Sequence, residues 1–411
     1  MRHFTVLEFG KLEIGKDISS EEASAIQDVA GKVFTRYQSY LVAENYVGVI
    51  RSQHGLILEI LPKIDLGLDF NQDDNSERTK QIFLRMLRCY RDLKRSLPQH
   101  DNNIRSLSKF PMLEIFIRLF LIDLQKLIHS GLAHRYVPIE ENLPYLKGRL
   151  LFREQIRQNL VNASLLFVSH DTLSINRPAN RLIRSTLNRL GRSIRGVENQ
   201  LLHREMDLAF ADVPESKNIR SDWKSHHIDR TMQLYHPIIK WVELFLFDQG
   251  LTAYSGKHRN ISLLFPMERV FEDFVTHAFH RYQDQYRVKT QGPKKNLIEY
   301  EERKIFNMRP DLVLMKHGEI RFVLDAKWKR FDRRDADSIN TIDQPDLYQI
   351  FAYSKRYKCE NVMLIYPKNE SFKEPANYRF FDGTSLICMP FDCVRPGESV
   401  KQAIECFRET V

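Results

Sequence analysis

Asp311, Asp325 and Lys327 are the residues of this chain whose types and spacing could do chemistry together. They lie within residues 308–328, which read as two short strands, 311–315 and 320–327, joined by a tight turn over 316–319. Pairing the arms about His317 and Gly318 sets Asp311 opposite Leu324 or Asp325, depending on whether the loop holds two or three residues. Side chains alternate faces along a strand, so Asp325 and Lys327 point the same way. Facing positions on paired strands lie about 5 Å apart, so two carboxylates and one ammonium converge on a small volume. Hard carboxylate oxygens suit Mg²⁺, which keeps open positions for water and for a phosphate oxygen. The ammonium can polarise that water or neutralise charge building on the phosphate. A strand ending in Asp-Ala-Lys is also commonly a solvated edge with a surface ion pair. The apolar runs 312–314 and 323–324, and the elements on either side, favour the metal site.

Two helices must support it. Upstream, Val270, Phe271, Phe274, Val275 and Phe279 recur at helical spacing within residues 263–279, with Pro266 near the start. Glu268 and Glu272 are four apart and share one side; Glu268 reads equally as a structural acid, and Glu272 is better placed to lean over the metal. Downstream, residues 346–353 form a second helix pattern with Gln349 and Tyr353 one turn apart, a pair that on many helices is plain surface.

Taken together, Pro310-Asp311, Asp325-Ala326-Lys327, and Gln349 followed four residues later by Tyr353 resemble the PD-(D/E)xK nuclease superfamily, in the subset with a Q-x-x-x-Y helix. More narrowly, the chain resembles the McrC family, the endonuclease subunits of McrBC-type modification-dependent (5-methylcytosine) restriction systems. Residues 48–63, 141–149, 180–183, the Phe271-Glu272 helix and residues 325–329 carry that likeness, which spans most of the chain. It implies a C-terminal restriction-endonuclease-like α/β core with a central mixed sheet, preceded by an α+β N-terminal region. It further implies Mg²⁺ on Asp311, Asp325 and the carbonyl of Ala326, a catalytic Lys327, an accessory acid in Glu272, and Gln349 and Tyr353 organising the site or a nearby phosphate. The second acid is Asp rather than Glu, a departure common within the superfamily.

Composition fits a nucleic-acid enzyme. The chain has 411 residues, room for two or three domains, and a net charge of +9, which suits a polyanion partner such as DNA. Lys329, Arg330, Arg333 and Arg334 follow the catalytic strand, where a DNA backbone would pass, and Lys294 and Lys295 lie in the same block; a solvated charged face is the bland alternative. Five cysteines without metal-ligand spacing point to free core thiols and a reduced, cytoplasmic setting. The opening residues alternate like a strand rather than a signal peptide, and the apolar helix over 112–128 carries four charges, so no membrane span is expected.

Organisation reads in three blocks. Residues 1–105 hold strands, an acidic loop at 71–76 and a basic helix over 78–93, with 96–108 as a linker. Residues 106–255 are helical, with a candidate hairpin over 136–152 whose charged tip includes Glu141, Lys147 and Arg149. Residues 256–411 alternate helix, strands, helix and strand: the α/β nuclease block. No phosphate-cradling glycine loop is present, so any nucleotide hydrolysis must come from another chain. The resemblance implies that this partner is a McrB-like AAA+ GTPase, with Glu141, Lys147 and Arg149 as the candidate contact. The alternatives are a stand-alone type II-like or repair nuclease, and a DNA-binding adaptor that keeps the fold as scaffold. Retention of Asp311, Asp325 and Lys327 together speaks against the adaptor.

Overall fold

The computed structural model describes residues 2–31, 33–52, 55–64, 73–90, 93, 97, 101–162, 164–247, 261–300, 303–332 and 342–410. Two compact units emerge, one built from Met1–Met112 with Asp248–Val411 and the other from Leu113–Phe247. The first and third blocks of the sequence reading therefore share one unit.

That unit opens with β1 (His3–Leu7), β2 (Lys11–Glu13), α1 (Ser20–Ala30), β3 (Phe34–Arg36), β4 (Tyr40–Ala43), β5 (Tyr46–Arg51) and β6 (Ile57–Leu61). A capping box starts α1: Ser19 Oγ accepts from the Glu22 N–H at 3.1 Å, and the Glu22 carboxylate accepts from the Ser19 N–H at 2.8 Å. The opening alternation is split into β1 and β2 by a break over Glu8, Phe9 and Gly10. Helices α2 (Asp73–Cys89) and α3 (Asp101–Ser108) follow. They replace part of the expected acidic loop and linker, because Asn75, Thr79, Ile104 and Leu107 are buried.

The second unit contains α4 (Met112–Ser130), β7 (Arg135–Leu143), β8 (Arg149–Leu150), α5 (Phe152–Asn159), β9 (Leu166–Ser174), α6 (Pro178–Gly191), α7 (Val197–Ala209), α8 (Ile219–Ser225) and α9 (Tyr235–Leu246). Aromatic contacts join α4 to α9: Phe116 meets Trp241 at 6.2 Å and Phe120 meets Phe245 at 5.7 Å. The charges of α4 are satisfied within the unit, Asp123 by Trp241 Nε1 at 3.2 Å and Glu114 by the Arg195 N–H at 2.5 Å. Among the described residues no helix is long and apolar enough to cross a membrane. The expected hairpin over 136–152 is a different sheet: β7 and β8 both pair with β9, in the order β7-β9-β8.

The chain re-enters the first unit at β10 (Ile261–Pro266), then α10 (Met267–Tyr282), β11 (Arg287–Thr290), β12 (Lys295–Tyr300), β13 (Arg303–Met308), β14 (Leu312–Lys316) and β15 (Glu319–Ala326). It ends with α11 (Gln344–Tyr357), β16 (Asn361–Pro367), β17 (Ala376–Arg379), β18 (Ser385–Phe391) and α12 (Pro396–Thr410). Residues 263–265, expected within a helix, form the strand β10, and the helix starts only after Pro266. This strand pairs antiparallel with β5, completing the sheet β1-β6-β5-β10. Gly48 permits that pairing, since a Cβ there would lie 1.9 Å from the Leu263 carbonyl oxygen.

The sheet that matters for chemistry is mixed and six-stranded among the described residues, in the order β11-β14-β15-β16-β18-β17. Parallel pairing joins β15 to β16 and β16 to β18; the other neighbours are antiparallel. Its two faces are set by strand alternation. Phe322 of β15 stacks on Phe407 of α12 at 3.6 Å, whereas its neighbour Val323 packs in one core with Ile350, Tyr353 and Tyr357 of α11. Asp325 has the parity of Val323 and so falls on the α11 face.

Candidate active site

His317 and Gly318 both have positive φ, 53° and 85°, the signature of a two-residue hairpin turn of type I′. A regular ladder from that turn would set Asp311 against Leu324. Instead β15 carries a bulge: Leu314 pairs with Phe322 and Met315 with Ile320, leaving Arg321 as the extra residue. The register thereby shifts to Leu312 opposite Leu324, and the next pair outward is Asp311 and Asp325. The hairpin thus brings the two carboxylates to one end of the strand pair.

The acids are locked there. Asp311 Oδ2 accepts the Ala326 N–H at 2.8 Å, and the Asp311 carbonyl accepts the Gln291 N–H at 3.0 Å. Lys327 Nζ lies 2.6 Å from Asp325 Oδ2, 3.5 Å from Asp346 Oδ1 and 2.7 Å from Gln349 Oε1. Gln349 Nε2 donates to the Tyr353 hydroxyl at 3.0 Å, which donates to the Arg309 carbonyl at 3.1 Å. The α11 pair therefore ties the ammonium to the backbone two residues before Asp311. Glu272 is half-buried beside the group and accepts from Gln291 Nε2 at 3.0 Å, while Glu268 on the previous turn is exposed.

Electrostatics follow from burial. It pushes the Asp311 carboxyl well above the usual range, and Asp325 and Glu272 add to the rise against the Ala326 hydrogen bond. Asp325 is raised by burial too, opposed chiefly by Lys327. Burial alone would lower the Lys327 ammonium, yet Asp325, Asp346 and Asp311 outweigh it and hold it above the ordinary lysine range. Burial also pushes the Tyr353 phenol up to about 12. Two buried carboxylates, both held above their usual range and with Asp325 adding to the rise of Asp311, are a donor set that a divalent cation would relieve, and the Ala326 carbonyl could add a third oxygen. Among the described residues, no three His, Cys, Asp or Glu side chains cluster to cage a metal by themselves.

Sequence reasoning passed over Asp346, which is buried on the first turn of α11. It contacts Lys327 and also Lys329, whose Nζ lies 2.8 Å from Asp346 and 2.6 Å from Asp343. Its signal was available: Asp346, Gln349 and Tyr353 follow the i, i+3, i+7 spacing of one helix face. Of the basic residues expected along a DNA path, Lys329 is held in this ion network and Arg330 is exposed. Arg333 and Arg334 lie outside the described residues. Lys294 is exposed, and Lys295 donates to the Arg356 carbonyl at 3.1 Å. In the second unit Lys147 and Arg149 are exposed, and Glu141 lies 3.4 Å from His170 Nε2 within its own sheet.

A family model described as McrBC 5-methylcytosine restriction system component matches residues 41–367. Among solved structures, the chain is similar to one described as a refined half-complex from a tetradecameric assembly of Thermococcus gammatolerans McrB AAA+ hexamers with bound McrC. The TM-score is 0.73 at 19% identity over 100% of both chains. A second similar structure, the Thermococcus gammatolerans McrBC complex, gives a TM-score of 0.53 at 20% identity over 69% of this chain and 89% of that one. A search of curated proteins found no match.

Proposed function

The chain belongs to the McrBC 5-methylcytosine restriction system component family, and from that premise we propose that it is the Mg²⁺-dependent DNA endonuclease subunit of such a system, built on a PD-(D/E)xK core. The observation that carries this reading is the junction of Asp311, Asp325 and Lys327 at one strand end, with the ammonium 2.6 Å from the Asp325 carboxylate. Bound by the two carboxylates and the Ala326 carbonyl, Mg²⁺ would supply Lewis acidity toward a phosphate oxygen and a readily ionised water.

The chain's own residues do the rest. The neighbouring carboxylates favour the protonated form of Lys327, which suits a cation that neutralises charge gathering on the phosphate. Gln349 takes one of its N–H bonds and is itself fixed by Tyr353, so the ammonium is aimed rather than free to rotate. Glu272 holds Gln291, whose backbone clasps the Asp311 carbonyl.

The partner in this reading is a McrB-like AAA+ GTPase, since the similar structure contains McrB AAA+ hexamers with bound McrC. The second unit supports it with an exposed apolar stripe, Phe152, Ile156 and Leu160, 71, 62 and 78% exposed at four-residue spacing. That stripe begins three residues after Arg149, so Glu141, Lys147 and Arg149 remain the candidate contact. Methylated plasmid incubated with the chain, a McrB-like partner, GTP and Mg²⁺ tests the assignment. Cleavage that needs both proteins is expected. Equal cleavage by the chain alone would favour the stand-alone nuclease, and no cleavage under either condition would remove the reading.

A further inference from the structure

One residue beyond Lys327 the structure opens a cavity of about 330 Å³, within the roughly 300–1,000 Å³ span of ligand clefts. Lys63, Lys329, Arg330 and Lys368 line it with Phe9 and the largely buried Trp328, the Lys329 ammonium being paired with Asp343 and Asp346. Phe9 is 50% exposed and holds a left-handed backbone at φ 60°, a conformation that costs a non-glycine residue about 1–3 kcal/mol. Hydrogen bonds fix the turn that imposes it: Phe9 N–H to the Ala43 carbonyl at 2.7 Å, and Gly10 N–H to the Leu7 carbonyl at 2.8 Å. Beneath it the Glu8 carboxylate accepts Trp328 Nε1–H at 2.8 and 3.0 Å and the Lys63 N–H at 2.9 Å. The fold therefore strains its backbone to hold an aromatic ring at the rim of a cationic cavity, and clamps that rim to the catalytic strand's continuation.

Cations that attract phosphate beside an exposed ring that can stack on a base are the recognition chemistry of a nucleotide in a single strand. We propose that this cavity holds one unpaired nucleotide of the DNA strand that passes the Asp311–Asp325 centre, its base on Phe9 and its flanking phosphates on Arg330 and Lys368. The assignment rests on reading that centre as a nuclease, and it adds that a strand is locally unpaired next to the cut.

The test is fluorescence-anisotropy titration of the full-length protein in EDTA, where no cleavage occurs, with a labelled single-stranded oligonucleotide, a blunt duplex and unlabelled dCMP as competitor. Phe9→Ala should weaken single-strand binding by about tenfold and duplex binding by less than about twofold, and Phe9→Trp should restore it. Arg330→Ala with Lys368→Ala should make the salt dependence shallower by about 0.7 per cation removed. Wild-type affinity in Phe9→Ala, an equal loss on duplex, or no binding of the oligonucleotide by the wild type would overturn the proposal. Effective competition by dCMP would mark a mononucleotide site and overturn the strand assignment. Because these measurements need no metal, they stand or fall separately from the cleavage assays that test the nuclease reading.

Discussion

Asp311 Oδ2 accepts a hydrogen bond from the Ala326 N–H at 2.8 Å, so the first acid of the site is tied to the backbone one residue past the second, Asp325. This bond holds two buried carboxylates together at a cost in repulsion, which burial magnifies.

That tension predicts the effect of Asp311→Asn. The amide oxygen can still accept from Ala326, and one buried charge is gone. In the native protein the Asp311 pKa is raised, so the folded state binds a proton more tightly than the unfolded one, and metal-free stability falls as pH rises above the ordinary carboxylate range. The variant should therefore melt at higher temperature than the wild type in EDTA at pH 8, with a smaller gain at pH 5. It should also lose the thermal stabilisation that Mg²⁺ is expected to give the wild type. An unchanged Mg²⁺-dependent shift in the variant, read by scanning fluorimetry, would place the cation elsewhere.

Lys327→Met keeps most of the side-chain volume and removes the ammonium from Asp325, Asp346 and Gln349. Breaking a buried pair commonly costs about 3–5 kcal/mol, so the metal-free variant should be clearly destabilised. Mg²⁺ should bind at least as tightly as to the wild type, because a neighbouring positive charge is gone, while cleavage is lost. Weaker Mg²⁺ binding by calorimetry would argue that the lysine helps to build the metal site.

Much of this centre was legible in the sequence and part of it was not. The strand–turn–strand reading rested on alternation and on His317-Gly318, and both hold in β14 and β15. Whether Asp311 meets Leu324 or Asp325 depends on the bulge at Arg321, an inserted residue that bends the strand and has no residue signature in one sequence. The strand β10 was absorbed into a helix because its apolar residues run directly into the amphipathic pattern of α10; Pro266 marked the change. The pairing of β5 with β10, which spans some two hundred residues of chain, has no local signal at all. The sheet β7-β9-β8 was misread as a hairpin because β9 lies beyond the intervening helix α5.

Asp346→Asn and Gln349→Ala each loosen the ammonium without touching the two facing acids. Loss of the Asp346 ion pair or of the Gln349 hydrogen bond, the latter about 1–3 kcal/mol, should lower the single-turnover cleavage rate by about tenfold while leaving DNA affinity close to normal. A rise in Kd for DNA with an unchanged rate would assign these residues to binding instead.

Glu8 makes a pH prediction away from the acids. Burial raises its carboxyl from the ordinary 4.5 to about 7, against the hydrogen bonds from Lys63 and Trp328. Between those values the folded protein holds a proton that the unfolded chain has lost, so stability falls with rising pH, by about 3 kcal/mol at most across the window. Glu8→Gln should flatten that slope in urea titrations between pH 5 and 8. An identical slope in the variant would show that Glu8 stays ionised.

If the second unit docks on a McrB-like GTPase, Asp311→Asn protein should stimulate GTP turnover as well as the wild type, since the two chemistries use separate sites. Lys147→Glu with Arg149→Glu should weaken that stimulation, because both side chains are exposed and carry the charge of the proposed contact. Stimulation that survives the double charge reversal would move the contact to another face.

The most direct test is the cleavage rate of methylated plasmid by the protein mixed with a McrB-like GTPase, measured against Mg²⁺ concentration for wild type, Asp311→Asn and Asp325→Asn. The account predicts saturable, EDTA-sensitive cleavage by the wild type and none above background by either variant, with GTP turnover intact in all three. Cleavage at near wild-type rate by either variant would contradict it.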